Sequence, residues 1–364
     1  MMVSEIEGGF LTLHEYVKAA RNRLTPEIWD YLIGGTETET TLARNRLGLD
    51  SLALRPRVLN DVSRIDARGT FLDRRIRLPV ALAPVGSLQS MSPGGAGTVA
   101  QAAEAFGVPV IVSSVTPQPI LDAVATTRAP RVFQLYVRGD QDWQDEQVRR
   151  AEDAGYDMFC LTVDTAIYSR RERDIAKRFV KPWRQGVPGI DHQAALNWSH
   201  VAHYKRRHRL PLALKGIATG EDAALAVEHG VEVVYVSNHG GRQLDQGRGA
   251  IEVLPEVVTA VAGRAKVWID GGFSRGTDVI KAMALGADLV GLGRLYCYGL
   301  ATAAQEGVEG VLALLEHEVI SALGLLGVPD FASLGPQHLH PAAPVRTPGV
   351  HSAFPLLNLA DPGY

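Results

Sequence analysis

From residue 80 onward the chain alternates between short apolar runs and longer amphipathic stretches. The runs fall at 80–84, 108–113, 132–137, 158–163, 212–215, 231–237, 267–270 and 289–293, and these short apolar runs predict eight strands. Between them lie alanine-rich segments with helical spacing, among them 96–106, 146–154, 220–229, 254–262 and 277–285. Near-continuous apolar strands separated by helices describe an α/β protein whose parallel sheet is covered by helices. Eight such units in roughly 220 residues fit a (β/α)8 TIM barrel better than an open doubly wound sheet. No G-x-G-x-x-G follows the first strand, which removes the main signature of that competitor.

Ahead of the barrel, residues 11–32 have helical spacing, with Leu13, Tyr16, Val17, Ala20 and Leu24 on one side. Pro26 fits the first turn of a second helix over 27–33, ended by Gly34 and Gly35. An irregular stretch follows, up to the first strand. The segment 181–195, rich in Pro, Gly and Gln, reads as a loop on the barrel's catalytic side. The tail beyond Leu325 is rich in Pro and His and has no period, so it is expected to wrap the barrel or an interface. The whole of 1–364 reads as one domain, with the barrel at about 78–325 and the tail at 326–364.

Composition changes this picture little. The net charge of −3 rules out a global basic field for nucleic acid, and the basic run 205–209 fits a solvated helix face. Cys160 and Cys297 sit inside apolar runs and read as core residues. His338, His340 and His351 lack a tight ligand spacing, so no metal site is expected. No apolar span of 18 residues and no signal peptide stand out, which makes a cytoplasmic protein the expectation.

Chemistry in such a barrel gathers at the C-terminal ends of the strands. Those ends carry Pro84, Ser113, Gln134 and Tyr136, Thr162 and Asp164, Lys215, His239 and Arg242, Asp270 to Gly272, and Gly293–Arg294. A purely structural barrel does not need a polar residue at nearly every strand end. In the stretch 237–245, Ser-Asn-His-Gly-Gly-Arg-Gln-Leu-Asp, a base (His239) and a cation (Arg242) stand just past a strand, with Gly240 and Gly241 free to turn between them. That pair suits proton removal next to a bound carboxylate. Arg170 and Arg171 offer a second guanidinium for the same anion. Lys215 reads as a salt-bridge partner, a Schiff-base amine, or a cation beside a delocalised anion. The small residues of Asp270-Gly271-Gly272 and Gly291-Leu292-Gly293-Arg294 suit a phosphate.

These motifs resemble the FMN-dependent α-hydroxy acid oxidase/dehydrogenase family, which includes glycolate oxidase, lactate oxidase and mandelate dehydrogenase. Supporting stretches are Asp30-Tyr31, Phe133-Gln-Leu-Tyr136, Leu161-Thr-Val-Asp164, Arg170-Arg171, Leu214-Lys-Gly216 and Asp270-Gly-Gly272. The resemblance spans about residues 12–325 and implies the same barrel. It implies His239 as the base and Asp164 as its orienting partner, with Arg171 and Arg242 on the substrate carboxylate. Tyr31 and Tyr136 would bond the substrate, and Lys215 would stand beside the flavin. Pro84, Val85, Gly86, Ser113, Gln134, Thr162 and Ser237 would contact the FMN ring. Asp270, Gly271, Gly272, Arg275, Gly293 and Arg294 would hold its phosphate side.

Departures from the family pattern add expectations of their own. Ser274 stands where an arginine is usual, so FMN is expected to be held less tightly unless Arg275 shifts into its place. Val115 replaces an aromatic at the substrate pocket, and Ala166 and Ser169 replace a proline and a glycine. The expected activity is oxidation of an L-2-hydroxy acid, bulkier than glycolate and possibly carrier-linked, with O2 or another electron acceptor. A homo-oligomer is expected by analogy. An aldolase-like barrel using Lys215, and a flavin-binding barrel with little turnover, are the alternatives.

Overall fold

The computed structural model describes residues 9–180 and 190–358. Its centre is a closed barrel of eight parallel strands: β1 (Val80–Leu82), β2 (Val110–Ser113), β3 (Arg131–Leu135), β4 (Met158–Thr162), β5 (Leu212–Ile217), β6 (Val233–Val236), β7 (Lys266–Ile269) and β8 (Leu289–Leu292). All eight expected strands are present, most of them shorter by a residue or two than the apolar runs that announce them. The helices α4 (Gly95–Phe106), α6 (Gln141–Asp153), α10 (Gly220–Glu228), α11 (Ala250–Val261) and α12 (Gly276–Ala284) cover it where amphipathic spacing placed them, and α5 (Gln118–Ala125), α7 (Glu172–Ala176), α8 (Ile190–Ala194) and α9 (Trp198–Arg207) fall between them.

The inward alternation of the strands gives the barrel two unlike ends. Ala81, Ile111, Val132, Met158, Cys160, Ala213, Tyr235, Trp268 and Leu289 fill the interior, and Phe71 of a short hairpin closes the lower end against Trp268. A strand's side chains repeat every second residue. Two residues further along, the same inward positions are Ser113, Gln134, Thr162, Lys215, Ser237, Asp270 and Gly291. The strand ends therefore present a polar ring above an apolar plug.

The segment 36–79 is not uniformly irregular. It contains a helix, α3 (Thr40–Asp50), whose buried face includes Asn45 and Arg46. Because polar residues carry that face, apolar periodicity does not reveal it. Asp245, the last residue of the 237–245 motif, accepts from the N–H groups of Thr38 (2.9 Å) and Thr41 (3.0 Å) at the start of α3. Asn45 and Asn238 exchange two hydrogen bonds (2.8 and 3.0 Å). This latches α3 to the loop after β6.

Helices α1 (Leu13–Arg23) and α2 (Pro26–Ile33) stand where expected, with Pro26 in the first turn of α2 and Gly34 as its C-cap. Of the expected loop 181–195, residues 181–189 lie outside the described residues. Ile190–Ala194 form a short helix, and Gln193 bridges β3 to β4 through Val137 N–H (2.7 Å) and Thr162 C=O (2.9 Å). The long helix α13 (Arg294–Leu326) breaks at Ala303 and Ala304, which leave helical φ/ψ.

The tail does wrap the barrel. Leu339–Pro341 pair antiparallel with Leu52–Leu54, and Phe354 is buried against His14 and Tyr298. Both cysteines are buried thiols. Among the described residues no helix is long and apolar enough to cross a membrane, and no group of three His, Cys, Asp or Glu is placed to hold a metal.

Candidate active site

A cavity of about 1140 Å³, counting its open mouth, lies over the polar ring. Its wall includes Tyr31, Pro84 to Gly86, Val115, Tyr136, Arg171, Lys215, His239, Arg242, Asp270 to Gly272, Gly293 and Arg294. Most of the expected site residues thus converge on one space from seven of the eight strand ends and from α2.

His239 reaches it through a sharp turn. His239, Gly240 and Gly241 all take left-handed backbone (φ 60°, 66° and 77°). At Gly241 a Cβ would lie 2.5 Å from the Leu42 backbone, so only glycine lets α3 approach this closely. The turn aims Nδ1 at Asp164, 3.2 and 3.3 Å from its two carboxylate oxygens. Nε2 faces the cavity, 3.1 Å from the Tyr136 hydroxyl. Burial lowers the imidazole's pKa below its usual value, and Asp164 only partly offsets this. Burial pushes the Asp164 carboxyl upward, but the charge and hydrogen bond of His239 outweigh it and hold the carboxyl below its usual range. With Nδ1–H donated to Asp164, the unprotonated imidazole turns its acceptor nitrogen toward the cavity.

Part of the wall is cationic. Arg242 donates to Gly34 C=O (2.6 Å) and lies 5.1 Å over the Tyr31 ring. Burial, together with Arg171 and Arg294, pulls its pKa down to about 9. Arg171 is buried as well, and its Nε has no hydrogen-bond partner. Such crowding of guanidinium groups out of water is relieved by an anion, and a carboxylate fits their forks. Tyr31 donates to Gly86 C=O (2.8 Å), which ties α2 to the loop after β1.

Behind the cavity Lys215 pairs with Asp270 (3.2 Å) and donates to Ser237 (2.8 Å), which in turn donates to Asp270 (2.5 Å). Burial lowers the Lys215 pKa, but Asp270 and Asp164 outweigh it and raise it above the usual value. The side chain is a fixed ammonium, not the neutral amine a Schiff base needs. The aldolase-like alternative loses its nucleophile. Gln134 donates to Thr162 (2.8 Å), while Gln134 Oε1 and Ser113 Oγ are buried without a partner. These atoms sit at the ends of β3 and β2, beneath the cavity.

Two expectations need adjustment, and one point about the pocket wall is decided. Arg275 does not line the cavity, because its side chain pairs with Glu318 (2.5 Å) and donates to Ala353 C=O (3.3 Å). It does not replace the arginine lost at Ser274, which itself lines the cavity. Arg294 reaches the cavity but spends Nε, Nη1 and Nη2 on the carbonyls of Leu32, Gly240 and Gly34 (3.0, 3.0 and 2.8 Å). Tyr168 does not fill the space beside Val115. It lies against Arg171, 5.1 Å from ring to guanidinium carbon.

Sequence reasoning missed Arg46, Tyr298 and Val350 in the wall. Their only signal in the sequence is weak: a polar residue on an unmarked helix, a tyrosine one turn into α13, and a valine in an aperiodic tail.

The chain matches the family model described as FMN-dependent dehydrogenase over residues 20–193 and 184–341. It is 38% identical over 355 residues to glycolate oxidase 1 of Oryza sativa subsp. indica, covering 92% of this chain and 96% of that protein. With an L-lactate oxidase of Nostoc sp. it shares 36% identity, over 91% of this chain and 98% of that one. The structure superposes on that of a mandelate oxidase crystallised with (S)-2-phenylpropionate, with a TM-score of 0.85 and 38% identity, covering 93% of this chain and 100% of the other. The same coverage of the partner holds for a chimera of (S)-mandelate dehydrogenase, at a TM-score of 0.84 and 32% identity over 92% of this chain. With a barrel, a histidine–carboxylate pair and an arginine-walled cavity in place, these matches show that the chain belongs to the FMN-dependent dehydrogenase family and is an FMN-dependent 2-hydroxy acid oxidase/dehydrogenase.

Proposed function

We propose that this enzyme oxidises an L-2-hydroxy acid bulkier than glycolate to the 2-oxo acid, passing the electrons to O2. The observation that carries the reading is His239, backed by Asp164 and facing a cavity walled by Arg171 and Arg242. Bound FMN supplies the two-electron acceptor for this chemistry. The residues present suit it. Pro84 to Gly86 give a backbone wall, while Ser113 and Gln134 keep polar atoms in need of a partner. Lys215 adds a buried cation for charge that develops on the flavin. Gly272, Gly293 and Arg294 would hold the phosphate, at the β7 and β8 ends where such barrels place one.

Arg171 and Arg242 grip the substrate carboxylate and fix the orientation of its Cα. The hydroxyls of Tyr136 and Tyr31 hydrogen-bond the substrate, with Tyr136 marking a position 3.1 Å from His239 Nε2. That nitrogen takes the substrate's proton, whether from the hydroxyl or from Cα. Asp164 accepts from Nδ1–H and stabilises the imidazolium that results. Val115 supports a bulky side chain, since it lines the cavity and Tyr168 does not refill the space. The oxidases among the relatives support O2 as acceptor.

The test is the visible spectrum of the purified protein. Flavin bands near roughly 370 and 450 nm should bleach anaerobically on adding a 2-hydroxy acid and return on admitting air. Bands that bleach but recover only with an added dye would overturn O2 as acceptor.

A further inference from the structure

The tail residues 349–354 touch the cavity at one place, and no motif explains them. Val350 lines the cavity, and its neighbours tie it to the end where Ser274 and Tyr298 also line it, through His351 against Tyr298 and Ala353 against Arg275. Tyr298 lies one turn into α13, so this is the end of the cavity at the helix N-terminus and the β8 turn.

Three anchors hold the segment. The His351 ring stacks on Trp29 at 5.4 Å and 22°, with Nε2 3.4 Å from the Tyr298 hydroxyl. Burial, with Arg294 and Arg173 nearby, pushes its pKa down to about 4, so the ring stays neutral. Phe354, almost fully buried, meets Tyr298 edge-on at 6.2 Å and His14 at 5.9 Å. Arg275, braced by Glu318, donates to Ala353 C=O. A turn within the segment is closed by Ser352 N–H to Gly349 C=O (3.0 Å).

We propose that residues 349–354 form a clasp over the phosphate end of the FMN cavity, with Arg275 as its positioning residue. The inference rests on the placement of the phosphate at the β7 and β8 ends proposed above. Ser274 offers a neutral hydroxyl where a guanidinium would bond an anion about twice as strongly. The clasp compensates by excluding water. In a drier site the contacts that remain, from Arg294, backbone N–H groups and the helix N-terminus, act at lower dielectric and hold an anion more firmly. The arginine next to Ser274 thus acts on the cofactor through the tail that it ties down.

FMN titration of the apoprotein, followed by flavin fluorescence at low salt, tests this together with the melting temperature of the apoprotein. Val350→Lys should tighten FMN and Val350→Asp should weaken it, each by about tenfold, since each places a charge beside the phosphate. Arg275→Met should weaken FMN several-fold with apoprotein melting retained, and Arg275→Lys should recover part of the loss. Ser274→Arg serves as the control for the phosphate's position and should tighten FMN. If Ser274→Arg tightens FMN while both Val350 variants change its Kd alike, the clasp is wrong and the phosphate placement stands. If none of these substitutions moves the Kd, the phosphate lies elsewhere and both readings fall. An Arg275→Met apoprotein that melts lower in proportion to its loss of FMN would reduce Arg275 to a stability role and overturn the positioning claim.

Discussion

The two ends of the cavity are built on different plans. At the β4–β6 end, the loops hold one another: Asp164 holds His239, and Ser169 donates to Arg242 C=O at 2.5 Å. Gln243 donates to Asp164 C=O at 3.0 Å and binds the two loops together. At the β7–β8 end the wall comes from backbone, a helix N-terminus and pieces distant in sequence, Arg46 near the start and Val350 near the end. A proton-transfer pair must be held within tenths of an ångström, so its partners are linked directly. Under the proposed phosphate placement, Ser274 sits at the end where one anchoring contact can be exchanged for another.

The largest effect should therefore come from the rigid end. His239→Asn should slow anaerobic flavin reduction by about 10²–10⁴ and leave the FMN content unchanged, as read by stopped-flow absorbance. A near-native rate in this variant would move the base elsewhere.

Arg171→Met or Arg242→Met should each cost about 2–4 kcal/mol in kcat/KM, because each strands part of a buried carboxylate. Lysine at either position should recover only part, since it lacks the planar fork. A methyl ester that turns over as well as the free acid would show that the cationic wall does not read the carboxylate.

The cavity wall between the two ends predicts a smaller effect. Mandelate should exceed glycolate in kcat/KM, and Val115→Trp should narrow the gap by about tenfold. Activity that falls steadily with side-chain size in the unmodified enzyme would contradict the bulky-substrate proposal.

The smallest effect separates chemistry from support within one motif. Asp245→Ala should lower stability by about 1–2 kcal/mol, the usual cost of losing a helix cap, with flavin reduction little changed. A melting curve paired with stopped-flow traces reads both, and a large rate loss without destabilisation would give Asp245 a direct part in the reaction.

The same contrast decides what could be read in the sequence. The strands announce themselves because each is a short buried apolar run, and their alternation with helices points to the barrel. The proton-transfer end was legible because His239, Gly240, Gly241 and Arg242 are contiguous and Asp164 ends a recognisable strand. Arg46 was hidden because its helix buries Asn45 and Arg46 in place of apolar residues. Its guanidinium is taken up by Asp278 (2.7 Å), Asp50 and Gly272 C=O (3.0 Å), of which only Asp50 is near it in sequence. Val350 was hidden because a tail without periodicity gives no register, so nothing in the sequence says which residue turns inward. The Arg275 side chain could have faced either way. Glu318, far along α13, decides it, and that pairing exists only once α12 and α13 pack together.

The claim on which the account depends is that a neutral His239, with Asp164 behind it, receives the substrate's proton. The most direct measurement is the rate of anaerobic flavin reduction against pH in the unmodified enzyme and in Asp164→Asn. Burial holds the imidazole below 6.5 while Asp164 opposes that shift, so the rate should stay level through pH 6.5 and fall only at more acid pH. Asp164→Asn removes the opposing charge, so the acid limb should move lower still while the plateau rate drops through loss of imidazolium stabilisation. An acid limb above pH 6.5, or one that moves upward in Asp164→Asn, would contradict it.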